Sequence, residues 1–308
     1  MSINTAVAQL PLNQWLPEIC HIAYQAGQLI GRYYRQNSVN IEKKSDGTPV
    51  TEADLAADKV ISKALRALTP DIPIITEETL AQIDFEKRQH WATFWLVDPL
   101  DGTKEFIDQT GEYSVNIALV VDHKPVLGVV YGPELGNLYF ASHQLNDAMQ
   151  MPCGKLKGLW PQQQAQDTAD SASLNWDYLL KQAAAIGVAE HPQQLKRQRS
   201  FKVAVSRRHG SQVQSFMNDL GMAQAMKMGS ALKACLVAEG AVDVYPRFGP
   251  TSLWDTAASQ AIVEAAGGAI LNAAGHPLQY VQTPSLLNPF FIVVSHADYQ
   301  WPKFPEVM

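Results

Sequence analysis

A chain of 308 residues, 46 % apolar and 18 % charged, is long enough to bury a substantial core in one large domain or two smaller ones, and its composition excludes wholesale disorder. The formal net charge of −6 argues against a general nucleic-acid surface, so a nucleotide-sized anion would need a local cluster of cations or a metal. Cys20, Cys153 and Cys235 are odd in number, scattered and without CxxC spacing, which points to a reducing compartment and away from a disulfide framework or a zinc site.

No Lys or Arg precedes Arg32, so the start lacks the charged region of a signal peptide, and no apolar run reaches the roughly 18 residues of a membrane span. A cytoplasmic protein is expected, with peripheral attachment to the inner face of a membrane left open. From Trp15 to Tyr34, apolar residues at Leu16, Ile19, Ile22, Ala23, Ala26, Leu29, Ile30 and Tyr33 recur at helical spacing and predict an amphipathic core helix. A second helix is predicted over Glu52–Leu68, with Thr51 as N-cap and Asp54 completing a capping box.

The apolar run Ile72-Pro73-Ile74-Ile75 leads to Glu77-Glu78. A second run, Phe94 to Val97, ends in Asp98-Pro99-Leu100-Asp101-Gly102-Thr103, two carboxylates three residues apart on a sharp turn. Such a turn aims hard oxygen ligands at a cation such as Mg²⁺, although Asp and Gly also populate ordinary turns and helix caps. Beyond it, Ser114–Val121, Pro125–Tyr131 and Asn137–Ala141 read as strands joined by hairpins, so the first half is two helices on an antiparallel sheet.

The stretch from Lys155 to Gln198, with three glutamines at 162–164, reads as a polar linker plus a helix over Trp176–Ile186. The remainder alternates: strand Phe201–Val205, helix Ser211–Leu220, strand Ala223–Met228, helix Ser230–Glu239, strand Val242–Tyr245, helix Thr256–Ala266 and strand Phe290–Ser295. That alternation predicts an α/β layer. The expected organisation is an α+β half over 1–155, an insertion over 156–198 and an α/β half over 199–308.

The order Glu77-Glu78, then Asp98-Pro99-Leu100-Asp101-Gly102-Thr103, then Trp254-Asp255 followed by eleven residues and Gly267-Gly268 resembles the lithium-sensitive, Mg²⁺-dependent phosphatases of the inositol monophosphatase superfamily. The resemblance runs from about Ile19 to Ser295, interrupted near 155–198. Four segments are most similar to its bisphosphate nucleotidase branch: Lys44-Ser45-Asp46-Gly47-Thr48-Pro49-Val50-Thr51-Glu52-Ala53-Asp54, Gly102-Thr103-Lys104-Glu105-Phe106, Gly229-Ser230-Ala231-Leu232-Lys233, and Tyr245-Pro246-Arg247-Phe248-Gly249-Pro250-Thr251.

The resemblance implies a layered αβαβα sugar-phosphatase fold with the site in the crevice between the halves. It implies two or three Mg²⁺ ions, with Mn²⁺ as a substitute, held by Glu77, Asp98, Asp101, Asp255 and the carbonyl of Leu100. Oxygen ligands without His or Cys suit such ions better than zinc. Thr103, with Glu77, is expected to orient the attacking water, a role compatible with capping a helix; Asp54 either caps its helix or, as the resemblance implies, lies behind the metal ligands or beside that water. Gly102 and Thr103 offer backbone N–H groups to a phosphate oxygen.

Ser206, His209, Gly229 and Lys233 match positions that contact the nucleotide in related enzymes. Taken singly, Lys233 would be a solvated helix residue and His209 a surface histidine. Arg247 either contacts base or ribose or braces Asp255. The expected activity is hydrolysis of 3′-phosphoadenosine 5′-phosphate to AMP and phosphate, in sulfur metabolism. An inositol-phosphate or other sugar-phosphate phosphatase is the alternative, and a catalytically silent nucleotide sensor is disfavoured because every ligand position is filled. The partner is a small nucleotide bisphosphate, with no nucleic-acid polymer; the oligomeric state is left open.

Overall fold

The computed structural model of the protein describes residues 7, 10–36, 41–43, 49–143, 153–157, 175–193, 200–207 and 210–305. His209, the Lys44–Thr48 part of one motif and the three glutamines lie outside the described residues. The first helix, Leu12–Arg35 (α1), buries Leu16, Ile19, Ala23, Ala26 and Ile30 along one stripe. A short antiparallel pair, Ile41–Lys43 (β1) and Pro49–Thr51 (β2), leads into Glu52–Leu68 (α2). The predicted capping box is present: Ala53 N–H donates to Thr51 Oγ1 at 3.2 Å and Thr51 N–H to Asp54 Oδ2 at 2.8 Å.

Then come Ile74–Thr76 (β3), a single turn at Phe85–Arg88 (α3), Thr93–Asp101 (β4), Thr103–Ile107 (α4), Ser114–Val121 (β5), Lys124–Gly132 (β6), Asn137–Ser142 (β7), Cys153–Leu156 (β8), Trp176–Lys181 (α5) and Ala184–Ala185 (β9). Strands β3 to β9 form a seven-stranded sheet in sequence order, antiparallel except for the β3–β4 pair. The helix expected over Trp176–Ile186 stops at Lys181 instead. Ala184 and Ala185 pair with Lys155 and Gly154 of β8, so sheet pairing overrides the helical preference of an alanine run.

The second half contributes Phe201–Val205 (β10), Ser211–Asp219 (α6), Ala223–Lys227 (β11), Leu232–Ala238 (α7), Val244–Arg247 (β12), a 3₁₀ turn at Leu253–Asp255, Ala257–Ala265 (α8), Ala269–Asn272 (β13) and Phe291–Val294 (β14). These strands form a five-stranded sheet in the order β11-β10-β12-β14-β13. β10 runs parallel to both of its neighbours and β14 antiparallel to both of its own.

The period-2 alternation of buried strands sorts these elements into layers. On β5, Val115, Ile117, Leu119 and Val121 pack with the apolar stripes of α1 and α2, whereas Ala118 and Val120 pack with α7 and α8. The opposite face of α7 and α8 meets Ala204, Tyr245, Ile270, Phe291 and Val293 of the second sheet. The outer face of that sheet, including Val203, Val244 and Ile292, is covered by Val213, Phe216 and Met217 of α6. The order is helices, sheet, helices, sheet, helix, the αβαβα arrangement that the resemblance implies, and each buried branched side chain contributes about 1.5–3 kcal/mol to it.

Candidate active site

The alternation on β4 also decides where the first carboxylate points. Phe94 and Leu96 face α7 and α8, so Asp98, two residues on, falls on that same inner side. Asp98 pairs with Asn116 and Asp101 with Ser114, so three steps on β4 oppose two on β5, and the extra residue is taken up at Pro99-Leu100. In a regular strand two residues three apart face opposite sides. The bulge brings both aspartates to one side.

Local hydrogen bonds hold the turn. Leu100 N–H donates to Asp98 Oδ1 at 3.0 Å, and Thr103 Oγ1 donates to Asp54 Oδ1 at 3.2 Å, with Leu100 O at 3.4 Å. Gly102 sits at φ +90°, a conformation that only glycine adopts without strain, and turns the chain into α4. Asp101 Oδ2 accepts from Asn116 Nδ2 at 3.2 Å and from the backbone N–H of Ala231 at 2.6 Å, a bond from the second half. Ser114 Oγ, donating to Asn116 Oδ1 at 2.9 Å, fixes which way that amide faces.

Asp255 arrives on the 3₁₀ turn before α8, its Oδ2 accepting from Ser252 N–H at 2.9 Å. Oxygens of Asp98, Asp101 and Asp255 all lie within 4.8 Å of one another. Glu77 leaves β3 beside them, its N–H donating to Val97 O at 3.1 Å. Burial, then the charges of Glu77, Asp101, Asp255 and Asp54, pushes Asp98 well above the usual carboxylate range; its side of the cleft leaves it only 1 % exposed. Burial likewise raises Asp101 to about 6, against the pull of Lys233, and Asp255 to about 8, with the Asp101 charge adding to the rise. Buried carboxylates this close can all be ionised only with a compensating cation. An all-oxygen donor set fits a hard divalent ion.

Next to this cluster opens a cavity of about 290 Å³ whose lining includes Asp101, Gly102, Ser206, Lys233, Arg247 and Asp255. Lys233 is no surface lysine: it is 5 % exposed, its Nζ donates to Ser230 O at 2.6 Å and stands 5.2 Å over the Tyr245 ring. Burial lowers its pKa to about 8, with Asp101 opposing the drop. Arg247 donates to Ser206 Oγ at 3.3 Å and to Pro250 O at 2.9 Å. It also lowers the pKa of Asp255 through its charge, so bracing and cavity lining coexist in one residue. Gly229 lies just outside the lining, pressed so closely on Glu112 that a Cβ would stand 2.4 Å from its carbonyl oxygen.

Sequence reasoning missed Asn116, the Ala231 N–H, and the two-pronged ion pair of Arg207 with Glu112 across the halves. A signal existed for the first, an amide inside the apolar strand Ser114–Val121; the others depend on how the halves meet.

Residues 12–290 match the model of the inositol monophosphatase family. The chain belongs to the inositol monophosphatase family. Within the family it is 40 % identical over 280 residues to the 3′(2′),5′-bisphosphate nucleotidase CysQ of Escherichia coli K12, covering 90 % of this chain and 98 % of that one. The same-named protein of Haemophilus influenzae is 35 % identical over 294 residues, covering 95 % and 97 %. The crystal structure of CysQ from Bacteroides thetaiotaomicron, a bacterial member of the inositol monophosphatase family, superposes with a TM-score of 0.71 at 34 % identity over 90 % of this chain and 96 % of that one. Among the described residues no helix is long and apolar enough to cross a membrane.

Proposed function

We propose that this family member is a 3′(2′),5′-bisphosphate nucleotidase, removing the 3′-phosphate of 3′-phosphoadenosine 5′-phosphate to give AMP and phosphate in sulfur metabolism. The observation that carries the reading is the convergence of Asp98, Asp101 and Asp255 beside a cavity that is also lined by a buried Lys233. A bisphosphate needs both parts, and relatives at 35 to 40 % identity over nearly the whole chain carry the bisphosphate nucleotidase name.

Two or three Mg²⁺ ions, or Mn²⁺ in their place, would be held by Glu77, Asp98, Asp101, Asp255 and the Leu100 carbonyl. When bound they would neutralise phosphate oxygens and acidify a water. The chain's own groups do the rest. Asp54 takes the Thr103 hydroxyl proton into a hydrogen bond, which leaves the Thr103 oxygen to accept from the attacking water and, with Glu77, to aim it. The Gly102 and Thr103 N–H groups are assigned to receive a phosphate oxygen, Gly102 lining the cavity. Ser206, Lys233 and Arg247 frame the phosphate that is not cleaved and its nucleoside, and Gly229 and His209 are assigned there by family resemblance alone.

A phosphate-release panel comparing 3′-phosphoadenosine 5′-phosphate, inositol 1-phosphate and a sugar phosphate, with and without a chelator, tests the proposal. Preference for the bisphosphate and loss of all release on chelation are expected. Faster release from inositol 1-phosphate would favour a general sugar-phosphate phosphatase.

A further inference from the structure

Far from the cleft, the chain brings together His191, at the end of the 156–198 stretch, and His296 and Asp298, just past β14. One ligand-type atom from each lies within 4.8 Å of the others, and the two imidazole rings are 4.6 Å apart. We propose that these three residues form a second metal site, for a borderline transition ion such as Zn²⁺, that clips the returning chain to the second sheet.

Three observations support the site. The 3.3 Å between His191 Nε2 and Asp298 Oδ1 is close to the roughly 3.4 Å edge of a tetrahedron with bonds of about 2.0–2.2 Å. His191 Nε2 is also buried and has no hydrogen-bond partner among the described residues, although that carboxylate stands beside it. Finally, His296 Nε2 lies 2.8 Å from the Ala189 carbonyl, a contact that places the ring proton there and leaves Nδ1 as a lone pair. Asp298, 80 % exposed, is free to swing onto an ion, and water would complete four ligands.

The His191 ring must change tautomer to bind. Its Nδ1 now accepts from Gln193 N–H at 3.2 Å; with the ion on Nε2 the proton moves to Nδ1, and the exposed Gln193 N–H turns to water. Imidazole donors separate this site from the all-carboxylate cluster, favouring zinc over magnesium. Location separates them too. The neighbouring Val188 N–H bonds Ala266 O, at the end of α8 opposite Asp255, and the nine residues of that helix span roughly 14 Å. The role is to pin, not to catalyse.

The experiment is calorimetric titration of Zn²⁺ into chelator-stripped full-length protein held in large excess Mg²⁺, for wild type, His191→Gln, His296→Gln and Asp98→Asn. Wild type and Asp98→Asn should each bind one equivalent that both histidine variants lose. Long-range ¹H–¹⁵N spectra of wild type should show the ring nitrogens of His191 and His296 shifting with zinc, a readout that needs no variant to fold. Equal zinc uptake in wild type and both histidine variants, or unmoved ring signals, overturns the proposal.

Discussion

Asp98 sits at 1 % exposure among four other carboxylates, and burial, then their charges, raise its pKa well above the usual carboxylate range, so its place in the site is electrostatic before it is structural. Asp98→Asn and Asp101→Asn keep the shape and remove one negative charge each. Turnover should fall at least about 10²–10³-fold, roughly 3–4 kcal/mol in the barrier, with circular dichroism unchanged. Activity near wild type in both variants at low Mg²⁺ would contradict the ligand assignment. The same burial sets a pH dependence of stability. In the metal-free protein, Asp101 at about 6 and Asp255 at about 8 keep protons that the unfolded chain releases near 4. The stability that these protons provide is fully present below about pH 4 and is lost as pH rises through about 6 and then about 8. Chelated protein should therefore melt lower near pH 8.5 than near pH 5, and Mg²⁺ should raise the melting temperature more at the higher pH. Calorimetric scans with and without Mg²⁺ check both statements.

At the scale of elements, the strands Ser114–Val121 and Phe201–Val205 and the helix Glu52–Leu68 were legible to the residue, because alternation, apolar runs and a capping box are local signals. What the sequence could not show was the bulge at Pro99-Leu100, since only the register against β5 reveals that these two residues oppose the single Val115. The pairing of Ala184-Ala185 and the strand Ala269–Asn272 were equally hidden, being short segments whose conformation is set by neighbours distant in the chain. The acidic residues themselves were readable; their convergence required the packing of α8. That packing depends on Gly128 of β6, where an added Cβ would come within 2.2 Å of the Ala258 carbonyl. Gly128→Ala should push α8 outward, cost about 1–3 kcal/mol and, by shifting Asp255, raise the Mg²⁺ concentration for half-maximal activity. Thermal melts and a Mg²⁺ titration measure the two effects; an α8 that stays put would leave both unchanged.

For the whole molecule, the site exists only where the halves meet: Asp98 and Asp101 come from the first sheet, Asp255 and Lys233 from the second half, and the Ala231 N–H reaches across to Asp101. Specificity should therefore divide from chemistry by half. Lys233→Ala should raise KM for 3′-phosphoadenosine 5′-phosphate more than it lowers kcat, while barely changing kinetics on a 3′-monophosphate that lacks the second phosphate. An unchanged kcat/KM ratio between the two substrates would remove Lys233 from the binding site. The most direct measurement of the central claim is ³¹P NMR of 3′-phosphoadenosine 5′-phosphate incubated with the enzyme and Mg²⁺. The account predicts that the 3′-phosphate resonance decays into inorganic phosphate while the 5′ resonance persists as that of AMP. Loss of the 5′-phosphate instead, or an intact bisphosphate under conditions where inositol 1-phosphate is consumed, would contradict it.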